Sequence, residues 1–230
     1  MDDVHIQSGT VTVRLGFYKV GKLQYISHLD LQRSMKRAFL RSGLPIWFSE
    51  GFNPHPKMIF AAPLSIGIES ECEFADVKFT RPITPGEVMD RFNACMTDEL
   101  QLFYAAPPVH KMTEAVWAAY DITIRHPQAS EDCAAHLAAL YTHPLTVMKR
   151  SKSGDKETDI SPYIRDPKVS YDAETGEIRI HVLLCSDSAN FLNPEYLLRA
   201  SELSFDNPLS SGYTIRRTDL LLEDGVTPFC

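Results

Sequence analysis

Two histidines near the amino terminus have side chains suited to proton transfer. His28 lies at a predicted junction between a strand and a helix, and His55 follows in a proline-rich segment. Imidazole changes its charge near neutral pH, so either ring could contact a phosphate group or act as an acid or base. Asp30 could orient the His28 ring or cap the helix. A structural alternative is that the His28 ring only bonds a neighbouring carbonyl group.

A cationic ridge is predicted on the helix that follows His28. Its members are Arg33, Lys36, Arg37 and Arg41. Three of them recur every four residues and therefore share one helix face, about ten ångströms long. This ridge is suited to binding the phosphates of RNA, and each neutralised phosphate would steepen the salt dependence of binding. The alternative is an ordinary solvated helix face.

The segment GFNPHP and the lysine after it form a candidate recognition loop. Pro54 and Pro56 exclude regular helix or strand here. Phe52 could stack on a base, Asn53 could read a base edge, and His55 and Lys57 could contact phosphates or bases. The alternative is a rigid turn in which Phe52 is buried and Asn53 bonds the backbone.

Acidic residues beyond this loop offer a weaker candidate site. Ser70 precedes Glu71 and Glu73. These two acids share one face of a predicted strand and could form a metal or general-base site. The alternative is a pair of solvated acids. His28 and His55 are the histidines most expected to meet in space, but two ligands make a poor metal site. We therefore expect no metal site and no resident cofactor.

A second basic cluster lies in the other half of the chain, where a charged loop is the alternative explanation. Its members are Lys149, Arg150, Lys152 and Lys156.

Charge is unevenly distributed along the 230 residues, whose net charge is -7. The segment from Arg14 to Lys57 carries +6, whereas the residues after it carry -11. A local cationic region on an acidic protein favours a specific anion site over general binding to polyanions.

The five cysteines are odd in number and show no CxxC pair, so we expect reduced thiols and no iron-sulfur cluster carried by this chain alone. The first residues are acidic and polar, which is not typical of a signal peptide. No apolar run is long enough to span a bilayer. A cytoplasmic protein without a membrane association is expected.

The hydrophobic pattern of the first half predicts the order strand, helix, strands, helix, strand. The segment VTVRLGFYKVG alternates as a strand. The helix after it has Ser27 or Asp30 as its cap and Gly43 as its stop. LPIWFSE is predicted as a strand, and MIFAAPLSIGIES and ECEFADVKFT as a hairpin. TPGEVMDRFNACM is a helix capped by Thr84, and LQLFYAAPP is a strand.

The second half repeats this order, with strands AVWAAYDITIRH and GEIRIHVLLCS among others and helices beginning after Ser130 and at Pro194. We expect an α+β protein of two tandem ferredoxin-like (βαββαβ) units with extra hairpin strands. The first unit is predicted over residues 1-110 and the second over residues 111-230.

The residues HLDLQRSMKRAFLRSGLPIWFSEGFNPHPKMIFAAPLSIGIESECEFADV carry a resemblance to a known family. They resemble the radical SAM-linked protein family, a bacterial domain of unknown function. Its pattern is HLD, a basic helix, SxGFNPxP, and then Pro-Leu-x-x-Gly-x-x-Ser. The specific part covers Lys22 to Val77. Family members occur alone or fused behind a cobalamin-binding radical SAM domain, commonly encoded beside ribonuclease G and ribosomal proteins.

The resemblance implies a radical SAM protein as partner and work on structured RNA or the ribosome. We therefore expect an RNA- or ribosome-associated binding module that acts beside a radical SAM enzyme, with the basic helix and the GFNPHP loop forming one surface. One alternative is a metal-independent RNA-processing or RNA-modifying enzyme that uses His28. A further alternative is a protein-protein adaptor.

Overall fold

The computed structural model describes residues 9-151, 154-202, 205 and 212-230. Its contacts divide the chain into unit 1, Met1–Met112 with Cys230, and unit 2, Thr113–Phe229. The fold is mixed α and β, as expected. Lys152 of the predicted second basic cluster lies outside the described residues, and so does the side chain of Arg150.

Unit 1 alternates strands and helices around a shared core. Its elements are β1 (Val11–Lys19), α1 (His28–Ser42), β2 (Met58–Phe60), β3 (Glu69–Phe79), α2 (Pro85–Asn93) and β4 (Leu102–Ala106). The strands lie in the spatial order β4-β1-β3-β2, and all neighbours are antiparallel. Both helices contribute buried side chains to the core that β1 and β3 also line.

Apolar residues at every second position of β1 contribute to this core. Val13, Leu15 and Phe17 are buried on the side that faces the helices. From α1, Leu31, Met35 and Phe39 recur at helical spacing and are buried against the same side. Both faces are therefore specified by apolar periodicity, which is why these elements are predictable.

The caps of α1 and α2 follow the sequence signals. Ser27 accepts a hydrogen bond from the backbone N–H of Asp30, and Thr84 does the same for Glu87. Gly43 ends α1 in the left-handed conformation at φ 63. Because only glycine adopts this conformation without strain, the helix stop is encoded locally.

Residues 44-68 depart from the prediction. LPIWFSE is not a strand, since only the isolated bridges of Ile46 to Phe79 and of Phe48 to Pro56 occur there. The predicted strand MIFAAPLSIGIES is regular over Met58–Phe60 and at its last two residues, which begin β3. The prolines in this stretch remove backbone donors, which limits ladder pairing.

Unit 2 contains a four-stranded sheet, a separate hairpin and two helices. Its elements are β5 (Trp117–Arg125), α3 (Glu131–Thr142), β6 (Thr146–Ser151), β7 (Gly154–Asp159), β8 (Ile164–Asp172), β9 (Glu177–Cys185), α4 (Glu195–Ser201) and β10 (Tyr213–Leu221). The sheet order is β10-β5-β9-β8, and its described pairings are antiparallel. β6 and β7 pair only with each other. Strand β8 is an element that the sequence analysis did not predict.

Candidate functional site

The basic residues of α1 differ in what holds them. Arg33 pairs with Asp30 at 3.0 Å, and both side chains are more than half exposed. Arg41 donates to the backbone carbonyl of Cys95 at 2.6 Å. Within the described part of the chain, Lys36 and Arg37 make no hydrogen bond or ion pair. These two cations are therefore the members of the ridge whose charge is left for a ligand.

A cavity of about 260 Å³ lies beside the carboxyl-terminal half of the ridge. Arg37 and Arg41 line one side of it, and the apolar side chains of Leu23, Met96 and Leu100 line another. Two guanidinium groups next to an apolar wall suit a ligand that is anionic at one end and flat or apolar at the other.

The loop after α1 projects its aromatic ring into solvent. Phe52 has a relative exposure of 112%, and Asn53, His55 and Lys57 are also exposed. The alternative of a rigid turn with Phe52 buried is therefore wrong. Gly51 takes φ 120, a value that favours glycine, and no atom lies within 4 Å of an added Cβ.

The neck of this loop is closed by Ser49 and His55. The Ser49 N–H donates to the His55 carbonyl at 2.9 Å, and the Ser49 hydroxyl accepts from the His55 N–H at 3.1 Å. The same hydroxyl lies 2.9 Å from Nδ1 of His55. These bonds hold the two ends of the loop together, and Phe52 takes part in none of them. The exposed ring is therefore not needed to hold the loop closed.

The carboxyl-terminal half of the ridge and the loop lie near opposite edges of the unit 1 sheet, at β4 and at β2, rather than on the single surface expected from the sequence. Arg37 and Arg41 face the connection between α2 and β4. The loop instead continues from Trp47 and Lys57, whose backbones bond to Lys78 of β3 on the β2 side. A ligand that contacts both must therefore be extended.

His28 is half-buried at the start of α1. The Gln32 side-chain amide donates to Nε2 of His28 at 2.7 Å, which places the ring proton on Nδ1. The ring also packs edge-on against Phe60, with centroids 5.0 Å apart. Burial lowers the pKa of His28 because it disfavours the imidazolium; the Glu73 carboxylate opposes this shift and the Lys19 ammonium adds to it. His28 is therefore held neutral at physiological pH.

Contrary to expectation, His28 and His55 do not lie together. His28 contacts Phe60 at the end of β2, whereas His55 precedes Met58 at its beginning. Asp30 does not orient the His28 ring either, since its carboxylate bonds to Ser27 and Arg33. These contacts lower the pKa of Asp30, with the Ser27 hydroxyl as the main cause.

Two buried charged residues lie close to His28. Lys19 is 1% exposed and Glu73 is 3% exposed, and Ser70, opposite Lys19 in the β1-β3 ladder, is fully buried. Buried lysine and glutamate are unusual because their charges lose hydration. The reading of Glu73 as a solvated acid is therefore wrong.

Lys19 is the residue of this cluster that the sequence analysis missed. It occupies the inward phase of β1, two residues after the buried Phe17. That phase was available as a signal, since alternation places every second residue of a strand on one face. In the sequence, Lys19 stands out only as one of the cations of the segment from Arg14 to Lys57.

Neither a metal site nor a membrane helix is found in the described ranges. There, no three side chains of the types His, Cys, Asp or Glu are grouped to hold a metal ion. No described helix combines the length and apolar character that crossing a membrane requires.

Two solved structures show distant similarity to this chain. A chain of a Cbf5-Nop10-Gar1 complex shares 11% identity with a TM-score of 0.48, over 89% of this chain and 48% of that chain. The present chain thus spans about half the length of that protein. An unknown protein from Galdieria sulphuraria shares 8% identity with a TM-score of 0.27, over 90% of this chain and 97% of that one. Such values support no inference about function.

No curated protein matches the sequence. A family profile does match, over residues 12-194, and this range includes α1, the loop and the cluster around His28. The chain therefore belongs to the family described as "Uncharacterized protein conserved in bacteria (DUF2344)".

Proposed function

We propose that this protein is an RNA-binding module, with unit 1 as the binding unit. The observation that carries the proposal is the fully exposed ring of Phe52, next to exposed Asn53, His55 and Lys57. Unpaired bases stack on such rings, and neighbouring polar and cationic groups hold the backbone and base edges. Since the neck of the loop is closed by Ser49 and His55, exposing the ring serves no evident structural purpose.

The cations of α1 supply the second contact of the proposed interface. Lys36 and Arg37 carry charge that no described acid neutralises. Arg37 lies towards the β4 edge of the sheet, whereas the loop that carries Phe52 lies towards the β2 edge. A folded RNA is wide enough to reach both, and its phosphates would favour this region over the acidic remainder of the chain.

Replacement of Phe52 by alanine tests the proposal. Binding of a hairpin RNA with an unpaired loop is measured by fluorescence anisotropy for wild type, Phe52→Ala and the control Val109→Ala. Val109 is an exposed apolar residue of unit 1 outside both parts of the interface. Loss of one stacked base weakens binding by about 1-3 kcal/mol. Equal affinity of all three proteins for this RNA contradicts the proposal.

A radical SAM enzyme is the partner that the sequence resemblance suggests. Membership of a bacterial family without an assigned function is confirmed, but the radical SAM connection stays a prediction. Its support is the exposed face of α1, where Leu29 and Leu40 are 61% and 57% exposed on either side of Arg33 and Lys36. Exposed leucines among cations suit a docking surface for another protein.

Co-purification separates this adaptor role from RNA binding. The tagged protein is isolated from nuclease-treated cells as wild type and as Leu29→Ser/Leu40→Ser. If the adaptor role is correct, a radical SAM protein is retained by the wild type and lost from the double variant. If neither protein retains it, the adaptor role is excluded.

An RNA-processing or RNA-modifying activity is a second candidate, favoured by the neutral His28 beside Glu73 and Lys19. A neutral imidazole can accept a proton from a substrate hydroxyl, and Nε2 of His28 would do so when the substrate displaces the Gln32 amide from it. If His28 is the base, His28→Ala abolishes turnover of cellular RNA while its affinity for that RNA stays within about twofold of wild type. Absence of any RNA product with the wild-type protein excludes this candidate.

We also propose ferredoxin-like topology for each unit and a cytoplasmic location. The support for the topology is the order β4-β1-β3-β2 in unit 1 and β10-β5-β9-β8 in unit 2, with β6 and β7 as an added hairpin.

A further inference from the structure

A row of charged side chains crosses the sheet of unit 2. Asp121 of β5 pairs in register with His181 of β9, which pairs with Lys168 of β8. All three are exposed. Directly opposite residues of neighbouring strands share a face, so these side chains lie next to one another.

Asp121 fixes the orientation of His181. Its Oδ1 lies 2.7 Å from Nδ1 of the imidazole. When both ring nitrogens carry protons, Nδ1–H donates to Asp121 and Nε2–H is left to donate to an anion. The charge of Arg179, next in the row, is partly held by Asp172 at 2.7 Å. Lys168 has no carboxylate partner among the described residues, so its charge remains available.

Two adjoining depressions share Lys168 and His181. The first has a volume of about 310 Å³ and is also lined by Thr123, Ser170 and Arg179. Its lining therefore contains two cations, two hydroxyl groups and the imidazole of His181. Asp121 is the one acid among the lining residues. This combination of donors is what a phosphate group requires.

The second depression has a volume of about 420 Å³ and a different lining. Ala119, Leu183 and Leu221 give it an apolar floor, and the side chains of Asp166 and Asp219 line it as well. Burial raises the pKa of Asp219, while a bond from the Leu220 N–H opposes the rise. An apolar floor with carboxyl groups suits a flat heterocycle that presents N–H donors.

We propose that this face of unit 2 binds a nucleoside monophosphate. The phosphate lies in the first depression on Lys168, His181 and the hydroxyl groups. The nucleoside lies over the apolar floor of the second, where Asp166 and Asp219 accept from the base. Guanine, with adjacent ring and exocyclic N–H groups, fits two carboxyl groups better than adenine does. This site is independent of the RNA surface proposed for unit 1.

Isothermal titration of the full chain tests the site with guanosine 5′-monophosphate, adenosine 5′-monophosphate and inorganic phosphate. The expected affinities decrease in that order, with a Kd for guanosine monophosphate below about 1 mM. Lys168→Ala and His181→Ala each weaken guanosine monophosphate binding about tenfold through loss of a charged or directed hydrogen bond. The matched controls Lys156→Ala and His136→Ala, at exposed positions of β7 and α3, leave it unchanged.

Absence of binding at 5 mM ligand (about 3 kcal/mol of affinity at most), or equal effects of the site and control variants, overturns the proposal. A 5′-phosphorylated RNA oligonucleotide then identifies the source of the nucleotide. Displacement of guanosine monophosphate by this RNA, but not by its unphosphorylated form, assigns the site to an RNA end. Lack of displacement assigns it to free nucleotide. Phe52→Ala is included because it impairs only the unit 1 surface.

Discussion

Arg14 is the largest charged side chain that unit 1 buries completely. It is 1% exposed, and its Nε and Nη2 atoms bond the two carboxylate oxygens of Asp76 at 2.8 Å and 3.0 Å. Nη2 also donates to the His110 carbonyl. Such a fork satisfies a guanidinium that water cannot reach. Asp76 thus supplies two of the hydrogen bonds that hold the buried guanidinium of Arg14.

Asp76→Ala is therefore expected to destabilise the protein by about 3-5 kcal/mol, because it removes the carboxylate that pairs with a buried cation. Urea unfolding followed by circular dichroism measures the change. The control Glu87→Ala removes the partner of Arg91 from a pair that is about one third exposed, and it costs about 1 kcal/mol or less. Similar losses for the two variants would contradict the role given to the Arg14 pair.

His28 makes the stability of the protein depend on pH. Its pKa is lowered in the folded protein, chiefly by burial, so the unfolded chain binds a proton more readily. Its contribution is complete above the pKa of an unfolded histidine, about 6.5. It decreases as the pH falls through that value toward the folded pKa.

We expect wild type to lose more stability between pH 7.5 and pH 5 (about one unit or more on either side of the unfolded pKa) than His28→Gln, which keeps a polar side chain but does not titrate. Urea midpoints at several pH values give the difference between the two proteins. If the stability difference between wild type and His28→Gln is the same at every pH in this range, the folded and unfolded proteins bind the His28 proton equally well. His136→Gln, at an exposed position of α3, serves as the control.

At the scale of elements, α1 owes its ends to local chemistry and its position to packing. Ser27 begins it, Gly43 ends it, and Leu31, Met35 and Phe39 attach it to the core. An added Cβ at Gly43 would lie 2.9 Å from the guanidinium of Arg91, which also bonds the Ser42 carbonyl. The end of α1 is thus held both by its own conformation and by α2.

Gly43→Ala is expected to destabilise the protein by about 1-2 kcal/mol because alanine is strained at positive φ. Gly86→Ala is the matched control, since Gly86 lies in α2 with helical geometry and open space around its Cα. There alanine stabilises by about 0.5-1 kcal/mol. Urea unfolding should therefore give changes of opposite sign. Changes of the same sign would refute this account of the helix stop.

Elements were predictable where one face is apolar and the ends carry caps, as in α1, α2 and β1. Strand β8 was missed because it contains Pro167 among charged residues. Pro167 is tolerated because β8 is at one end of the order β10-β5-β9-β8. It also falls in a register shift between Arg165 and Lys168. For the candidate site, sequence chemistry indicated His28 and Phe52. It named Glu73 without predicting its burial and did not indicate Lys19, because the burial of both side chains depends on how α1 and the strands pack around them.

At the scale of the whole molecule, charge separates the proposed RNA surface from the rest of the chain. The net charge is -7, and the positive segment from Arg14 to Lys57 is balanced by acids elsewhere. Of its cations, Arg14 and Lys19 are buried and cannot contact a polyanion. The remaining surface cations therefore determine how binding responds to salt.

Lys36→Glu/Arg37→Glu is expected to reduce the slope of log affinity against log salt by about 1.4, the value for two phosphate contacts on a single strand. The control Arg81→Glu/Lys111→Glu changes the net charge equally at two exposed positions of unit 1. It should leave the slope unchanged. Equal slopes for the two double variants would show that only total charge matters. Anisotropy titrations with hairpin RNA between 50 and 300 mM salt, a range of about twofold in screening length, provide the measurement.

The two tryptophans of the chain lie in different settings. Trp47 is partly exposed beside the base of the Phe52 loop, where its carbonyl accepts from the Lys57 N–H and the Lys78 ammonium lies 4.7 Å from its ring centroid. Trp117 is buried in unit 2 under the guanidinium of Arg165. Intrinsic emission from the unmodified protein thus contains a reporter at the loop and a shielded reference. A ligand that occupies the loop should quench the emission of Trp47 and leave that of Trp117 unchanged. Binding at the loop can therefore be measured without an attached dye.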